Sequence, residues 1–213
     1  MLLNLTNTWN RLVYILWAPV YDALIRLHPV ESVRHEALEH AGASDAERVL
    51  LVGVGTGADL PHLPQSSLLA GLDLSMAMLR AARRKAKFLC RRFVAVRGDA
   101  ECLPFRDGEF DLVILTLVVT VVPHPQACVR EAMRVVRPGG NVLVLDKFVT
   151  AGTSPSVLRR CLGCLSRLFG TTINLNWEEV SYGLPDPIYD PTIHGCLEVR
   201  TIILRKPPTS KCS

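Results

Sequence analysis

The chain has 213 residues, of which 49% are hydrophobic and 21% charged, and it carries 7 cysteines and a net charge of +4. A chain of this make-up can bury one real core, which excludes a disordered tail, a collagen repeat and a mini-protein stapled by cysteines. The odd cysteine count, with Cys161-x-x-Cys164 as the one paired spacing, fits a reduced, cytoplasmic setting, and the mild basicity suggests an anionic surface as a partner.

Residues 1–27 read as a lipophilic helix or a broken pair of helices. Trp9, Leu12, Val13, Leu16, Val20, Leu24 and Ile25 recur mostly at spacings of three and four, so they share a face. Pro19 kinks or ends the first part, and Thr6 or Thr8 caps it. Two readings stand: a helix packed on the core, or an interfacial helix or lid facing lipid. A membrane-spanning helix takes about 20 apolar residues. Arg11 and Pro19 interrupt this segment, and Pro123, His124 and Pro125 break the uncharged run from Leu112 to Val129. No Lys or Arg precedes Arg11 and no small-x-small site follows it, so the segment makes a poor signal peptide. A soluble or peripheral protein is expected.

From residue 48 short apolar runs alternate with helical patterns. Val49 to Val52 is a buried strand type, and Leu68 to Asp73 is the second strand. Ser75 caps a helix to Phe88 with Met78, Leu79, Ala82 and Ala86 on one face. Phe93 to Val96 and Phe110 to Thr116 are the third and fourth strands. Pro125 to Val136 is a helix, Arg137-Pro138-Gly139-Gly140 the turn that ends it, and Val142 to Leu145 the fifth strand. Ser154 to Phe169 looks helical. Pro185, Pro187 and Pro191 argue against a full strand between residues 181 and 193. Glu198 to Arg205 reads as a last strand, antiparallel at or near the edge. The pattern predicts an α/β fold: a doubly wound, Rossmann-like three-layer sandwich with a mostly parallel sheet of six or seven strands. It is read as one domain, with a helical lid over 1–40, a core over 45–150 and a substrate-side segment over 151–213.

Gly53-Val54-Gly55-Thr56-Gly57 follows the first strand directly, where a ligand approaching the backbone needs glycine. The helix start beyond it offers free N–H groups to an anionic or polar ligand. Gly53-x-Gly55-x-x-Ala58 also fits a dinucleotide fingerprint. Asp73 ends the second strand 20 residues after Gly53, where a carboxylate can accept both ribose hydroxyls of an adenosine. Three further features are Gly98-Asp99-Ala100, Leu103-Pro104-Phe105-x-Asp107-x-x-Phe110-Asp111, and Arg137-Pro138-Gly139-Gly140. With these five in order, the chain resembles the class I S-adenosylmethionine-dependent methyltransferases over about residues 45–150. That resemblance implies a methionine part over Gly53, Gly55, Thr56 and Gly57 and a ribose on Asp73. It puts Leu74 and Met78 beside the adenosine, Asp99 and Ala100 on the adenine, and Leu117 at the reactive end. The family usually places Asp or Glu just before the first glycine, whereas Val52 stands here.

A closer resemblance is to small bacterial phospholipid N-methyltransferases and the neighbouring quinone-ring methyltransferases. It rests on Val52 to Pro61, on Leu117 to Pro123 and on Val199 to Lys206. Ala18-Pro19-Val20-Tyr21-Asp22 resembles an N-terminal Tyr-Asp shared in this group, where the aromatic closes over the cofactor. The resemblance implies methyl transfer from S-adenosyl-L-methionine to a lipophilic acceptor. The amine of phosphatidylethanolamine comes first, and a quinone ring or small thiol second. A non-catalytic lipid-surface protein keeping the fold is a further alternative. Tyr21 is the catalytic candidate, Tyr14 and Asp146 are substrate candidates, and His124 reads as a loop-exposed residue. No metal is expected, because no second cysteine pair or histidine cluster stands at ligand spacing. Arg80, Arg83, Arg84, Lys85, Lys87, Arg91, Arg92 and Arg97 form a stretch without an acid. It reads either as a solvated face or as a surface drawn to anionic lipid headgroups. Nucleic acid ranks lower, because no aromatic residues are interleaved with the charges.

Overall fold

The computed structural model describes residues 30–148, 175–193 and 199–208. Tyr14, Tyr21, the apolar face of residues 1–27, the helix expected from Ser154 to Phe169, and Cys161 and Cys164 lie outside them.

The apolar runs form strands because both faces of each are covered. In β1 (Arg48–Val52), Val49 and Leu51 enter one core cluster while Leu50 and Val52 enter the other, the two-residue alternation of a strand. β2 (Leu68–Asp73) and β3 (Phe93–Arg97) flank the helix α2 (Met76–Phe88) in sequence. β4 (Phe110–Thr116), α3 (Pro125–Val135) and β5 (Val136–Lys147) follow. A first helix, α1 (Val30–His40), precedes β1. After a short helix α4 (Trp177–Val180) come β6 (Thr192–Ile193) and β7 (Val199–Arg205).

The sheet has the order β3-β2-β1-β4-β5-β7-β6. β1 to β5 are parallel, and β7 lies antiparallel between β5 and β6. α1 and α2 cover one face with Ala37, Leu38, Ala41, Leu79, Ala82 and Ala86. α3 covers the other with Cys128, Val129, Ala132, Met133 and Val135. The sandwich is therefore doubly wound, as the alternation predicts. Val52 pairs with Leu72 on one side and Leu115 on the other, so the carboxyl ends of β1, β2 and β4 stand level. The strand order turns back between β1 and β4, and a ligand of such a sheet lies at that point.

One expectation changes. Arg137-Pro138-Gly139-Gly140 is not a turn ahead of the fifth strand. It lies within β5, where Val136 pairs with Phe110 and pairing resumes at Leu112 and Asn141 after a register shift. Asp111 holds this bulge: its Oδ1 accepts from Arg137 Nε at 2.5 Å and its Oδ2 from the Glu47 and Arg48 N–H groups. Burial pushes the Asp111 carboxyl up, but these donors outweigh it and hold it below the usual range. As expected, β7 is antiparallel and near the edge; Thr192 and Ile193 add a two-residue edge strand beyond it. Residues 30–40 form α1, whose Ala37 and Leu38 pack on the sheet.

Candidate active site

The glycine run leaves β1 with Gly53, Gly55 and Gly57 all at positive φ. Their surroundings differ. A Cβ on Gly53 would lie 2.7 Å from Val118 Cγ2, and one on Gly57 2.6 Å from Leu60 Cδ1. A Cβ on Gly55 meets nothing nearer than the Gly53 carbonyl oxygen at 3.9 Å. Gly53 and Gly57 therefore serve the protein's own packing, and Gly55 faces open space with Thr56 half-buried beside it.

Asp73, at the end of β2, holds the loop from the side. Its Oδ2 accepts from Gly55 N–H at 2.9 Å and its Oδ1 from Ser75 N–H at 2.8 Å. Burial raises the carboxyl above its ordinary value, and the two N–H donors offset part of that rise. Each carboxylate oxygen keeps a second lone pair for another donor. Beyond Asp73, Leu74 and Met76 are exposed apolar side chains at the rim and Met78 is half-buried. Ser75 caps α2 by accepting from Met78 N–H.

After β3, Asp99 Oδ1 accepts from Glu101 N–H at 3.0 Å, which folds the turn and buries Ala100. Glu101 then reaches across to the loop after β4. Its Oε1 accepts from His124 N–H at 2.6 Å, and its Oε2 lies 2.9 Å from His124 Nδ1. This clasp joins the Asp99–Ala100 turn to the segment that begins at Leu117. Leu117 itself sits at φ 55°, a left-handed conformation rare for a branched side chain and a form of strain met at functional sites. Outside the clasp a cavity of about 590 Å³ opens between Glu101, His124, Gln126 and Arg130.

Asp146 is placed at the carboxyl edge as expected, but its carboxylate is wholly buried. It accepts from Thr120 Oγ1 at 2.7 Å, Thr120 N–H at 3.1 Å and Lys147 N–H at 2.8 Å. Burial is the main influence and raises its carboxyl. The side chain thus supports the loop after β4 rather than meeting an acceptor. Leu51 and Val52 are both apolar and buried, so β1 delivers no carboxylate to the glycine run. Among the described residues no three His, Cys, Asp or Glu side chains converge as metal ligands.

Two side-chain pairs escaped the sequence reading. Glu101 and His124 are 23 residues apart, with no spacing rule to link them. Arg34 and Asp59 form a buried ion pair at 2.7 Å between α1 and the residue two beyond Gly57. The one signal for the second pair was Asp59, a carboxylate between Ala58 and Leu60; Arg34, between Val33 and His35, gave none.

A protein-family model described as a methyltransferase domain matches residues 50–144. Phosphatidylethanolamine N-methyltransferase of Cereibacter sphaeroides is 39% identical over 120 residues, 55% of this chain and 59% of that protein. Demethylmenaquinone methyltransferase of Renibacterium salmoninarum is 32% identical over 133 residues, 61% of this chain and 54% of that one. The chain thus spans a little over half the length of these curated relatives. Among solved structures, the YcgJ protein of Bacillus subtilis superposes with a TM-score of 0.70 at 18% identity, covering 84% of this chain and 99% of that one. An arsenic(III) S-adenosylmethionine methyltransferase from Chlamydomonas reinhardtii superposes with a TM-score of 0.60 at 24% identity, covering 79% and 66%.

Proposed function

We infer that the chain, whose residues 50–144 form a class I S-adenosylmethionine-dependent methyltransferase domain, transfers a methyl group from S-adenosylmethionine to a lipophilic acceptor at a membrane surface. The amine of phosphatidylethanolamine is the first choice of acceptor, in line with the substrate named for the relative from Cereibacter sphaeroides. The observation that carries the reading is the cradle at Gly55. Its backbone is pinned by Asp73, its α-carbon faces open space, and the strand order reverses beside it.

The residues fit the cofactor. Asp73 would accept the ribose hydroxyls on its remaining lone pairs while keeping Gly55 and Ser75 in place. Asp99 Oδ2 has no partner among the described residues and would accept from the adenine amino group, with the Ala100 backbone beside the ring. Leu74 and Met78 would pack on the adenosine and Leu117 would line the reactive end. With no acid on β1, the methionine ammonium would rest on backbone carbonyls or water. Bound S-adenosylmethionine supplies an electrophilic methyl for in-line displacement. The chain's part is alignment and exclusion of water, through the glycine loop below and the Glu101–His124 clasp across the mouth. Tyr21 and Tyr14 remain the proposed aromatic groups over the mouth, on a lid formed by the residues that precede α1.

A quinone ring is the second reading, favoured by the likeness to demethylmenaquinone methyltransferases. A lipid-surface protein without turnover is the third, favoured by the apolar Leu51 and Val52. Calorimetry with S-adenosylmethionine isolates the third, since no heat at millimolar ligand would establish it. Labelled cofactor with a panel of lipids, quinones and thiols separates the first two, and label on quinone alone would displace the phospholipid reading.

A further inference from the structure

The two faces of α2 differ in chemistry. Leu79, Ala82 and Ala86 are buried on the sheet side. The outer side exposes Met76, Arg80, Arg83, Arg84, Lys87 and Phe88, at the three- and four-residue spacings of one helical stripe. An apolar side chain stands at each end of the stripe and four cations stand between them. Phe88 is 86% exposed. The surface continues onto the edge strand β3, where Arg92 just before it and Arg97 at its end are exposed. Arg83 Nη2 donates to the Ala95 carbonyl at 3.1 Å, which joins helix and strand.

Among the described residues the cations of this flank have no carboxylate partner. Several guanidinium groups elsewhere are ion-paired: Arg34 with Asp59, Arg48 with Glu109, Arg134 with Glu131 and Asp107, Arg137 with Asp111, and Arg200 with Asp190 and Glu178. Arg80, Arg83, Arg84, Lys87, Arg92 and Arg97 have no carboxylate partner among the described residues. A face of cations without carboxylate partners among the described residues, framed by exposed Met76 and Phe88, matches an interface that is anionic at its surface and apolar just beneath. It matches nucleic acid less well, because Phe88 stands alone at one end of the stripe and a convex helix face offers no groove.

We propose that the α2–β3 flank docks on an anionic phospholipid surface, with the cations on headgroup phosphates and Phe88 entering the acyl boundary. The geometry suits a lipid acceptor. α2 begins at Ser75, two residues past Asp73, so the Met76 end of the stripe and exposed Leu74 adjoin the proposed cofactor rim. Docking along the flank brings that rim to membrane level. The inference deepens the proposed methyl transfer to a membrane lipid, and rests on that reading for its purpose.

The test is sedimentation of the full chain with phosphatidylcholine vesicles, with and without phosphatidylglycerol, at low and high salt. Wild type should pellet with the anionic vesicles at low salt and be released by salt. Arg84→Glu with Lys87→Glu should weaken low-salt binding at least about tenfold. Phe88→Ser, which keeps every cation, should also weaken low-salt binding. Neither variant touches the cofactor cradle, so calorimetry with S-adenosylhomocysteine and methylation of a detergent-dispersed acceptor should match wild type. Wild type in the supernatant at low salt, equal binding to phosphatidylcholine alone, or undiminished binding of the charge-reversed protein would each overturn the proposal. So would a single-stranded oligonucleotide that displaces the protein from anionic vesicles at substoichiometric amounts. Salt-sensitive binding lost in the variants, with no acceptor methylated by any protein, keeps the docking surface and removes the methyl-transfer reading instead.

Discussion

Gly55→Ala separates the glycine run's service to a ligand from its service to the fold. In the free protein the added methyl has no protein atom within 3.9 Å. The remaining cost is the left-handed backbone at φ 54°, about 1–2 kcal/mol for a residue with a Cβ. At about 2–4 °C per kcal/mol for a chain of this size, Tm should fall by about 2–8 °C. The effect on the ligand is larger. The Asp73 bond to Gly55 N–H stops the loop from retreating, so the methyl stands where the cofactor must approach. On the proposed placement, a cofactor pushed away by one methyl would lose its hydroxyl bonds to Asp73, and hydrogen bonds to a charged acceptor contribute about 1.5–3 kcal/mol each. Losing both weakens binding by at least about a hundredfold. Gly57→Ala is the contrast, because its Cβ would lie 2.6 Å from Leu60 Cδ1 and 3.4 Å from Ala82 Cα. Overpacking adds about 1–3 kcal/mol, so this variant should melt lower than Gly55→Ala. Melting of the free proteins and calorimetry with S-adenosylhomocysteine give both numbers. If Gly55→Ala binds at wild-type affinity, the open space above it is not the cofactor's path.

Asp73→Asn turns an amide N–H toward one of the backbone donors it now accepts, and cofactor affinity should fall at least about tenfold. Because burial raises the Asp73 carboxyl, wild-type affinity should begin to fall on acidification above the ordinary value of 3.8, and a flat titration there would contradict this. The raised carboxyls of Asp73 and Asp146 hold protons in the folded state that the unfolded chain has released. Their contribution to stability is therefore present at low pH and lost as pH rises from 3.8 through the raised values, which pH-dependent melts of Asp146→Asn against wild type will read. Glu101→Ala removes both bonds of the clasp and His124→Ala only the side-chain one, so stopped-flow release of cofactor should quicken more in the first. Identical release rates would show that the clasp does not gate the mouth. Arg34→Met leaves Asp59 buried without its cation and should cost about 3–5 kcal/mol, most of it recovered by adding Asp59→Leu. Denaturant titrations that rank the double variant no better than the single would remove the pair from the account.

The parallel core was legible because its signals are local. A continuous Val-Leu-Leu-Val run, Ser75 ahead of an amphipathic stretch, and Pro125 opening a helix each depend on a few adjacent residues. The placement of Asp73 and the glycines at strand ends was readable for the same reason, since it follows from the strand just before each. Arg137-Pro138-Gly139-Gly140 misled because Pro and Gly usually break a strand. Here the Asp111 carboxylate, 26 residues earlier, holds the chain in register through a bulge. Asp146 misled in the opposite way. Its place at a strand end was right, but Thr120 consumes its carboxylate, and nothing near Asp146 in sequence announces that partner.

The acids at the carboxyl rim hold loops. Asp73 fixes Gly55, Glu101 fixes His124, Asp146 fixes Thr120, and Asp59 is tied to Arg34. Loops leaving strand ends carry unpaired N–H groups, and a carboxylate satisfies two at once. At this rim the acids are spent on the fold's own donors and cations: Asp59 is neutralised by Arg34, and Asp146 is wholly buried against Thr120. The cations of α2 and β3 are not used in this way, because none has a carboxylate partner among the described residues. The charge that the proposed membrane docking draws on is therefore charge that the described fold leaves over.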